Sequence, residues 1–271
     1  MRRAAGAGIP VRAAMRHSDG AGTVPLHFNE PETWVPVLGP SRGVFLMRPP
    51  AITDIDRTLA PFIDAVRRAG AGPIVFLSVT GADKARFLPH AAVERHLMDG
   101  PRDWVILRPG FFAQNLSDAY PQDIREDDRI YLPAGQGKAA FLDLRDLGEA
   151  TARILADPEP HLGQAYTLTG PKAVDFHAVA QAVGEATGRL IAYRPASIAG
   201  YLRHLHRRGA LWGQALVQTA LHVGLRFGQA EAVAPDLARL LDRPPRDIFD
   251  YIRDHAELWA TEPPRPAAES R

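Results

Sequence analysis

The sequence predicts an α/β fold of the doubly wound type, in which a parallel sheet carries helices on both faces. Two observations support this prediction. Short, continuous apolar runs alternate with helical stretches along the N-terminal half, and such runs are typical of strands buried on both faces. The C-terminal half changes to a mainly helical character, which predicts a smaller part that covers a pocket.

Four apolar runs are the predicted strands, and turn residues or charges bound each of them. They lie at residues 11–15, 43–47, 73–78 and 104–107. Helices separate them, so neighbouring strands run parallel. The helix predicted over residues 54–69 has apolar side chains at three- and four-residue spacing and stops at Gly70. Further helices are predicted over residues 89–98 and 144–156.

The C-terminal half contains five helical stretches. They are predicted at residues 177–187, at 198–208, around Leu216, at 230–241 and at 246–259. The stretch around Leu216 is strongly apolar, with Trp212, Leu221 and Phe227 nearby. These side chains are typical either of a lid over an apolar ligand or of an ordinary core, and we favour the core. Residues 261–271 are polar and rich in proline, which predicts a disordered tail.

Composition excludes several classes of function. The 271 residues include 32 Lys and Arg and 31 Asp and Glu, so the formal net charge is +1. The large positive charge that drives binding to nucleic acid is therefore missing. The chain has no cysteine, which excludes disulfides, Cys-ligated zinc, iron–sulfur clusters and a thiolate nucleophile, and which fits a cytoplasmic protein. No metal site is predicted. The longest apolar stretch, at residues 211–225, is too short and too polar to span a membrane.

Several segments together carry a resemblance to a known family. They are PVRAAMR from Pro10, GVFLMRPP from Gly43, PIVFLSVTGAD from Pro73, HAAVERHL from His90, DWVILRPGFFAQN from Asp103, FLDLRDLGEATARIL from Phe141 and AYTLTGP from Ala165. In this order and spacing the chain resembles the NmrA-like branch of atypical short-chain dehydrogenases. Within that branch it looks similar to bacterial relatives of ergot-alkaloid reductases and of quinone reductases.

The resemblance implies an NAD(P)-binding Rossmann-like domain over residues 1–165 and a mainly helical substrate-binding part over residues 166–260. It also implies a set of cofactor-binding residues at the strand ends, which are Arg16, Arg48, Pro49, Pro50, Ser78, Pro109, Gly110 and Phe111. Arg16 ends a predicted strand where an arginine can hold a 2′-phosphate, so NADP is favoured over NAD. For each of these residues a plain structural role, such as a solvated arginine or a rigid turn, is left open.

The chain departs from the dehydrogenase pattern at the catalytic pair. Classical members use Tyr-x-x-x-Lys for proton transfer, and none of the six tyrosines is followed four residues later by lysine. His90 and Glu94 lie one helical turn apart at the corresponding place, and His90 is the candidate catalytic acid. The alternative is a histidine at a helix start with a solvated glutamate partner.

The sequence given contains no segment that matches the family's first strand and the glycine-rich turn after it. In the family order this strand lies in the middle of the sheet, so its loss predicts two unpaired strand edges. Either the protein starts further upstream or the chain is a decayed copy, and the upstream start is favoured because the remaining pattern is intact.

The resemblance implies an NADP-dependent oxidoreductase that reduces a small, apolar, unsaturated substrate such as a quinone, an imine or an enone. The alternatives are a non-catalytic redox sensor that binds NADP and regulates a protein partner, or an inactive truncated copy. Besides the small-molecule substrate, no nucleic acid and no membrane is expected as a partner. A homodimer is left open.

Overall fold

The computed structural model describes residues 10–17, 22–39 and 41–260. The chain forms two compact units, each built from three segments. The first unit comprises Met1–Gly110, Leu144–Leu168 and Ala234–Pro245, and the second comprises Phe111–Asp143, Thr169–Val233 and Arg246–Arg271. The domain division expected near residue 165 stays a prediction, and the expected tail at 261–271 lies outside the described residues.

Ten strands are present in the described residues. They are β1 (Ala13–Met15), β2 (Thr23–Pro25), β3 (Val44–Met47), β4 (Ile74–Leu77), β5 (Trp104–Pro109), β6 (Arg129–Leu132), β7 (Lys138–Ala139), β8 (Gln164–Leu168), β9 (Val174–Asp175) and β10 (Ala192–Pro195). The four strands expected from the apolar runs are β1, β3, β4 and β5, so their prediction is confirmed.

Eleven α-helices accompany these strands in the described ranges. They are α1 (Val35–Leu38), α2 (Leu59–Arg68), α3 (Pro89–Met98), α4 (Asn115–Asp118), α5 (Pro121–Asp127), α6 (Leu144–Ala156), α7 (Phe176–Thr187), α8 (Ile198–Arg207), α9 (Trp212–Leu225), α10 (Asp236–Leu241) and α11 (Ile248–Asp254). Short 3-10 turns lie at Pro31–Thr33, Glu159–His161 and Ala256–Leu258. The helix expected over 54–69 begins later, at Leu59, and the one expected over 230–241 begins at Asp236.

A four-stranded parallel sheet in the order β3-β4-β5-β8 forms the centre of the first unit. The doubly wound α/β class is therefore confirmed. β1 pairs with β2 in a separate parallel sheet. Within the described residues β3 has a hydrogen-bonded neighbour on one side only, which is β4. The missing family strand itself stays a prediction.

The core of the first unit lies between this sheet and its helices. Apolar side chains of α2 recur on one face, and Leu59, Phe62 and Ile63 are fully buried there against sheet residues such as Phe76. Burial on both faces explains why the central strands read as continuous apolar runs. Gly70 has a φ of +60°, a conformation that favours glycine, and it ends α2 as the sequence predicts.

The second unit combines two small sheets with helices around its own core. β6 pairs with β10 in parallel, and β7 pairs with β9 in antiparallel orientation. Aromatic side chains fill the core, with Phe141, Phe176 and Trp259 among the fully buried ones. Three of its helices have an N-cap residue whose side chain accepts a hydrogen bond from a backbone amide. They are Asp175 for α7, Ser197 for α8 and Asp247 for α11. In the described part of the chain no helix is long and apolar enough to cross a membrane.

The expectation that the apolar segment around Leu216 is core is wrong. Trp212, Leu216, Leu221 and Phe227 are all exposed. The helix α9 buries instead a narrow face with Ala215, Thr219, His222 and Leu225. The side chains that the sequence marks as the most apolar point away from the core because they occupy the opposite helical face.

Candidate cofactor and active site

The carboxyl ends of β3, β4 and β5 carry polar and charged side chains along one edge of the first unit. Arg48 follows β3, Ser78 follows β4, and Arg108 lies within the last residues of β5. Because these strands are parallel neighbours, their ends meet at one edge, the edge at which open α/β sheets bind ligands. The sequence predicted this edge as the site from the resemblance, and the structure places the three residues along it.

Glu94 of α3 is the centre of a buried hydrogen-bond network at this edge. The side chain of Glu94 is almost fully buried, and so is that of Ser78, whose hydroxyl donates a short hydrogen bond to Glu94 Oε1. The alternative that Glu94 is a solvated partner of His90 is therefore wrong. The amphipathic pattern places Glu94 on the buried face of α3, beside Val93 and Leu97, where its charge needs a partner.

Arg108 is that partner. Its Nε donates to Glu94 Oε1 at 3.0 Å and its Nη2 donates to Glu94 Oε2 at 2.6 Å, so the two groups form a forked pair. Asp83 lies 3.6 Å from the remaining terminal nitrogen of the guanidinium. The hydrogen bond to Glu94 and the two carboxylate charges raise the pKa of Arg108 despite its partial burial. Sequence reasoning missed this pair, although a glutamate on an apolar helix face was a signal for it.

Arg48 is tied into its own loop. Its Nη1 donates to the carbonyl oxygens of Pro49 at 2.9 Å, Pro50 at 3.1 Å and Ile52 at 2.6 Å. Its Nε donates to His90 Nε2 at 3.4 Å. The guanidinium thus fixes the loop that contains the two prolines, and burial lowers its pKa. The loop therefore has a rigid backbone at the sheet edge.

His90 begins α3 beside Arg48, with its ring 6.3 Å from that of Phe76. Burial first, and then the charge of Arg48, lower the pKa of His90 to about 4, against a smaller opposing effect of Glu94. The ring is therefore neutral at pH 7, and because Nε2 accepts from Arg48, its proton lies on Nδ1. The role of catalytic acid stays a prediction for His90, and at neutral pH only the Nδ1–H of a neutral imidazole is available for it.

The loop after β5 is held by backbone hydrogen bonds. The carbonyl of Pro109 accepts from the hydroxyl of Thr80 at 2.8 Å and from its backbone amide at 3.0 Å. Gly110 donates its amide to the Leu168 carbonyl at 2.8 Å. The ends of β4, β5 and β8 are thereby fixed to one another, and this part of the predicted site has a rigid backbone.

Arg16 directly follows β1 and is exposed. Among the described residues it makes no ion pair, in contrast to Arg108, which pairs with Glu94. An exposed, unpaired guanidinium at the end of a strand is free to bind an anion.

Phe111 belongs to the second unit, and its ring lies in an aromatic cluster there. It packs edge-on against Phe141, Phe176 and His222 at centroid distances of 5.5, 6.2 and 6.0 Å. His222 donates from Nδ1 to the Gln218 carbonyl at 2.6 Å, so its Nε2 accepts a short hydrogen bond from the hydroxyl of Tyr120. Burial lowers the pKa of His222 and raises that of Tyr120. No sequence motif marked this buried tyrosine–histidine pair.

Comparisons with known proteins agree with the predicted resemblance. The chain is 27% identical over 268 residues to an NAD(P)H azoreductase of Xenophilus azovorans, which covers 93% of this chain and 91% of that protein. It is 28% identical over 226 residues to agroclavine dehydrogenase of Claviceps fusiformis, with 81% and 76% covered. No family model matches the chain.

Solved structures give the same fold over nearly the whole chain. Triphenylmethane reductase of Citrobacter, complexed with NADP(H), superposes with a TM-score of 0.81 at 19% identity, covering 94% of each chain. The NADPH-dependent quinone oxidoreductase of Escherichia coli, complexed with NADPH, also gives 0.81, at 20% identity with 93% and 94% covered. The chain has the same Rossmann-like α/β fold as these two reductases. NmrA itself, a negative transcriptional regulator in complex with NAD, gives 0.72 at 17% identity and covers 95% of this chain and 90% of NmrA.

The parallel order of the sheet explains why Arg48, Ser78 and Arg108 lie at one edge. In open α/β sheets the loops after the strands form the ligand-binding crevice, and Arg48, Ser78 and Arg108 occupy the ends of three successive sheet neighbours. The network around Glu94 lies beneath this edge. It neutralises the buried charges and leaves the backbone of the edge firmly positioned.

Proposed function

We propose that this protein is an NAD(P)H-dependent oxidoreductase that reduces a small, apolar, unsaturated substrate, namely a quinone, an imine or an enone. The observation that carries the proposal is the full-length likeness in fold to reductases solved with NADP(H), combined with a pre-formed polar edge at the carboxyl ends of β3, β4 and β5. Two relatives, an NAD(P)H azoreductase and agroclavine dehydrogenase, support an oxidoreductase.

The residues present at this edge fit a dinucleotide. Arg16, which follows β1 of the separate β1–β2 sheet, would hold a 2′-phosphate, because its guanidinium is exposed and has no ion pair among the described residues; this favours NADP over NAD. Arg48, Pro49 and Pro50 would supply a rigid loop beneath the cofactor. Ser78 would support the edge through Glu94 rather than through its own hydroxyl, because that hydroxyl is already donated.

The loop after β5 completes the proposed cofactor site. Pro109 and Gly110 would line the cofactor with backbone that Thr80 and Leu168 hold in place. Phe111 would contribute through its backbone, because its ring lies in the aromatic cluster of the second unit.

A bound nicotinamide supplies a hydride, and the chain's own residues orient the reactants and manage the charge. His90 would donate a hydrogen bond from Nδ1 to a substrate oxygen or nitrogen, since its pKa of about 4 keeps the ring neutral. Reduction of an iminium carbon needs no further proton. A quinone, an enone and a neutral imine each need one proton besides the hydride, at the phenolate oxygen, the enolate and the nitrogen respectively, and solvent can supply it. The missing Tyr-x-x-x-Lys pair is therefore compatible with reduction of these substrates.

Turnover tests the proposal. The full chain is mixed with NADPH and, in separate reactions, with a benzoquinone, a cyclic iminium and a cyclic enone, and NADPH oxidation is followed by absorbance. We expect acceptor-dependent oxidation with at least one substrate. His90→Phe should lower kcat/KM by about tenfold, because the phenyl ring cannot donate a hydrogen bond to the reacting group. Oxidation that is equally slow with and without every acceptor would contradict the proposal.

A redox-sensing regulator is the second candidate. Two observations favour it: the likeness to NmrA, a negative transcriptional regulator, and the lack of a Tyr-x-x-x-Lys pair. A sensor would bind NADP and NADPH with measurable affinity and oxidise no acceptor. The same turnover experiment, combined with a binding titration, separates the two functions.

A further inference from the structure

The helix α9 presents a broad apolar face to solvent. Residues 209–225 contain no Asp, Glu, Lys or Arg, although a quarter of an ordinary chain is charged. The exposed side chains, with their exposed fractions, are Leu211 (69%), Trp212 (54%), Leu216 (56%), Val217 (63%), Leu221 (60%) and Phe227 (82%). We call these six residues the α9 face.

The α9 face is one continuous surface. Trp212, Leu216 and Ala220 recur every four residues, and so do Gly213, Val217 and Leu221, so the two rows are neighbours on the outer side of the helix. Leu211 and Phe227 extend the surface at the two ends. The helix has 14 residues, which gives the face a length of about 21 Å.

We propose that the α9 face is a homodimer interface, covered in solution by the same face of a second copy of this chain. A soluble monomer seldom exposes an apolar patch larger than a few hundred Å². The exposed fractions of the α9 face correspond to on the order of 800 Å², which matches the roughly 800 Å² per partner of a standard protein interface.

The charge pattern selects a second copy as the occupant. A two-fold interface places the same surface on both sides, so a face without charge matches itself and any net charge would repel. The two arginines that bound the neutral stretch are already engaged. Arg208 forms an ion pair with Glu126 and Arg226 donates to the Pro133 carbonyl at 2.6 Å. A helix that binds membrane surfaces would instead carry lysine and arginine along its polar side.

The size pattern of the face also suits an antiparallel pair of helices. If the two-fold axis passes between Leu216 and Val217, Trp212 of one copy faces Leu221 of the other, and Gly213 faces Ala220. The large side chains of Trp212 and Leu221 then meet at the two ends of the helix pair. Leu216 meets Val217 at the axis, and Gly213 and Ala220 leave room for the two backbones to approach about one helical turn to either side of it.

The first test measures the oligomeric state of the full chain by light scattering after size exclusion, over a wide range of concentrations. We expect twice the chain mass of 29.6 kDa. The double variant Leu216→Asp with Leu221→Asp should show half that mass, because it buries two carboxylates against apolar partners. Leu190→Asp is the matched control: Leu190 is 92% exposed, belongs to the same unit and lies outside α9, so its variant should stay dimeric.

The second test stays informative if the aspartate variants fold poorly. The natural chain has no cysteine, so Val217→Cys introduces a single thiol close to the proposed axis. Mild oxidation should convert most of this variant to a disulfide-linked dimer at protein concentrations where Leu190→Cys stays uncrosslinked. A monomeric natural chain would overturn the proposal, whether or not it then binds phosphatidylglycerol vesicles. A dimer that Leu216→Asp with Leu221→Asp leaves intact, or a Val217→Cys variant that crosslinks no faster than Leu190→Cys, would overturn it too.

Discussion

Replacing Glu94 by glutamine tests the network beneath the proposed site. The amide has almost the same shape as the carboxylate, so packing against Val93 and Leu97 is kept while the negative charge is removed. Arg108 then loses the negative charge of its forked partner at 2.6 and 3.0 Å, keeps a single neutral acceptor there, and retains the carboxylate of Asp83 at 3.6 Å. The glutamine amide group also turns one acceptor of the fork into a donor.

The magnitude follows from burial. Breaking a buried ion pair by removing one partner costs about 3–5 kcal/mol. Asp83 is exposed and still compensates Arg108 in part, so we expect a loss of about 2–3 kcal/mol in the free energy of unfolding. For a chain of this size each kcal/mol lowers Tm by about 2–4 °C, so Glu94→Gln should lower Tm by roughly 5–10 °C.

Urea unfolding followed by circular dichroism measures this loss. Asp54→Asn is the matched control, because Asp54 pairs with Arg57 at 3.7 Å on the surface and both side chains are exposed. Its loss should stay below about 0.5 kcal/mol. A double-mutant cycle with Arg108→Met should give a coupling energy of about 1–3 kcal/mol. The reasoning is refuted if Glu94→Gln costs no more than Asp54→Asn or if the cycle shows no coupling.

Three further predictions concern single side chains. The pKa of His90 is lowered to about 4 in the folded chain, so the unfolded chain takes up the proton at a higher pH. The free energy of unfolding therefore falls as the pH drops from 6.5 towards 4. The full shift corresponds to about 3.4 kcal/mol, and solvent screening of the half-exposed ring reduces the expected effect to about 1 kcal/mol. Urea unfolding at several pH values should show this fall in the natural chain and about 1 kcal/mol less of it in His90→Gln, and equal slopes would contradict the assignment. Tyr120→Phe leaves His222 Nε2 buried without its donor and should cost about 1–3 kcal/mol in urea unfolding, whereas a neutral outcome would mean that the hydrogen bond is not made. Asp247→Ala removes the side-chain cap of α11 and should lower stability by about 0.5–2 kcal/mol, with unchanged Tm as the opposing result.

The sequence predicted those helices and strands whose burial in the folded protein produces a recognisable local pattern of apolar residues. Burial on both faces produces the continuous apolar runs of β3, β4 and β5, and α3 has the predicted bounds because Pro89 suits a first helical turn. The start of α2 was placed five residues early. The stretch before Leu59 has the right apolar spacing but folds as turns, and spacing alone does not distinguish the two.

The sequence could not predict what depends on distant partners. Glu94 and Arg108 are 14 positions apart and meet only because α3 packs beside β5, so their forked pair has no local signature. The exposure of Trp212 and Leu216 was missed for a similar reason. An apolar helix predicts a buried surface, and it does not tell whether the core, a ligand or a second chain buries it.

The binding of a nicotinamide dinucleotide to the full chain tests the proposed cofactor site directly. Calorimetric titration with NADPH and with NADH should show binding of both, with NADPH tighter, and Arg16→Ala should weaken NADPH by about tenfold while it leaves NADH unchanged. Arg203→Ala, at an arginine of α8 outside the proposed site, is the matched control and should change neither affinity. Absence of binding for both nucleotides would contradict the proposed oxidoreductase and the proposed sensor alike.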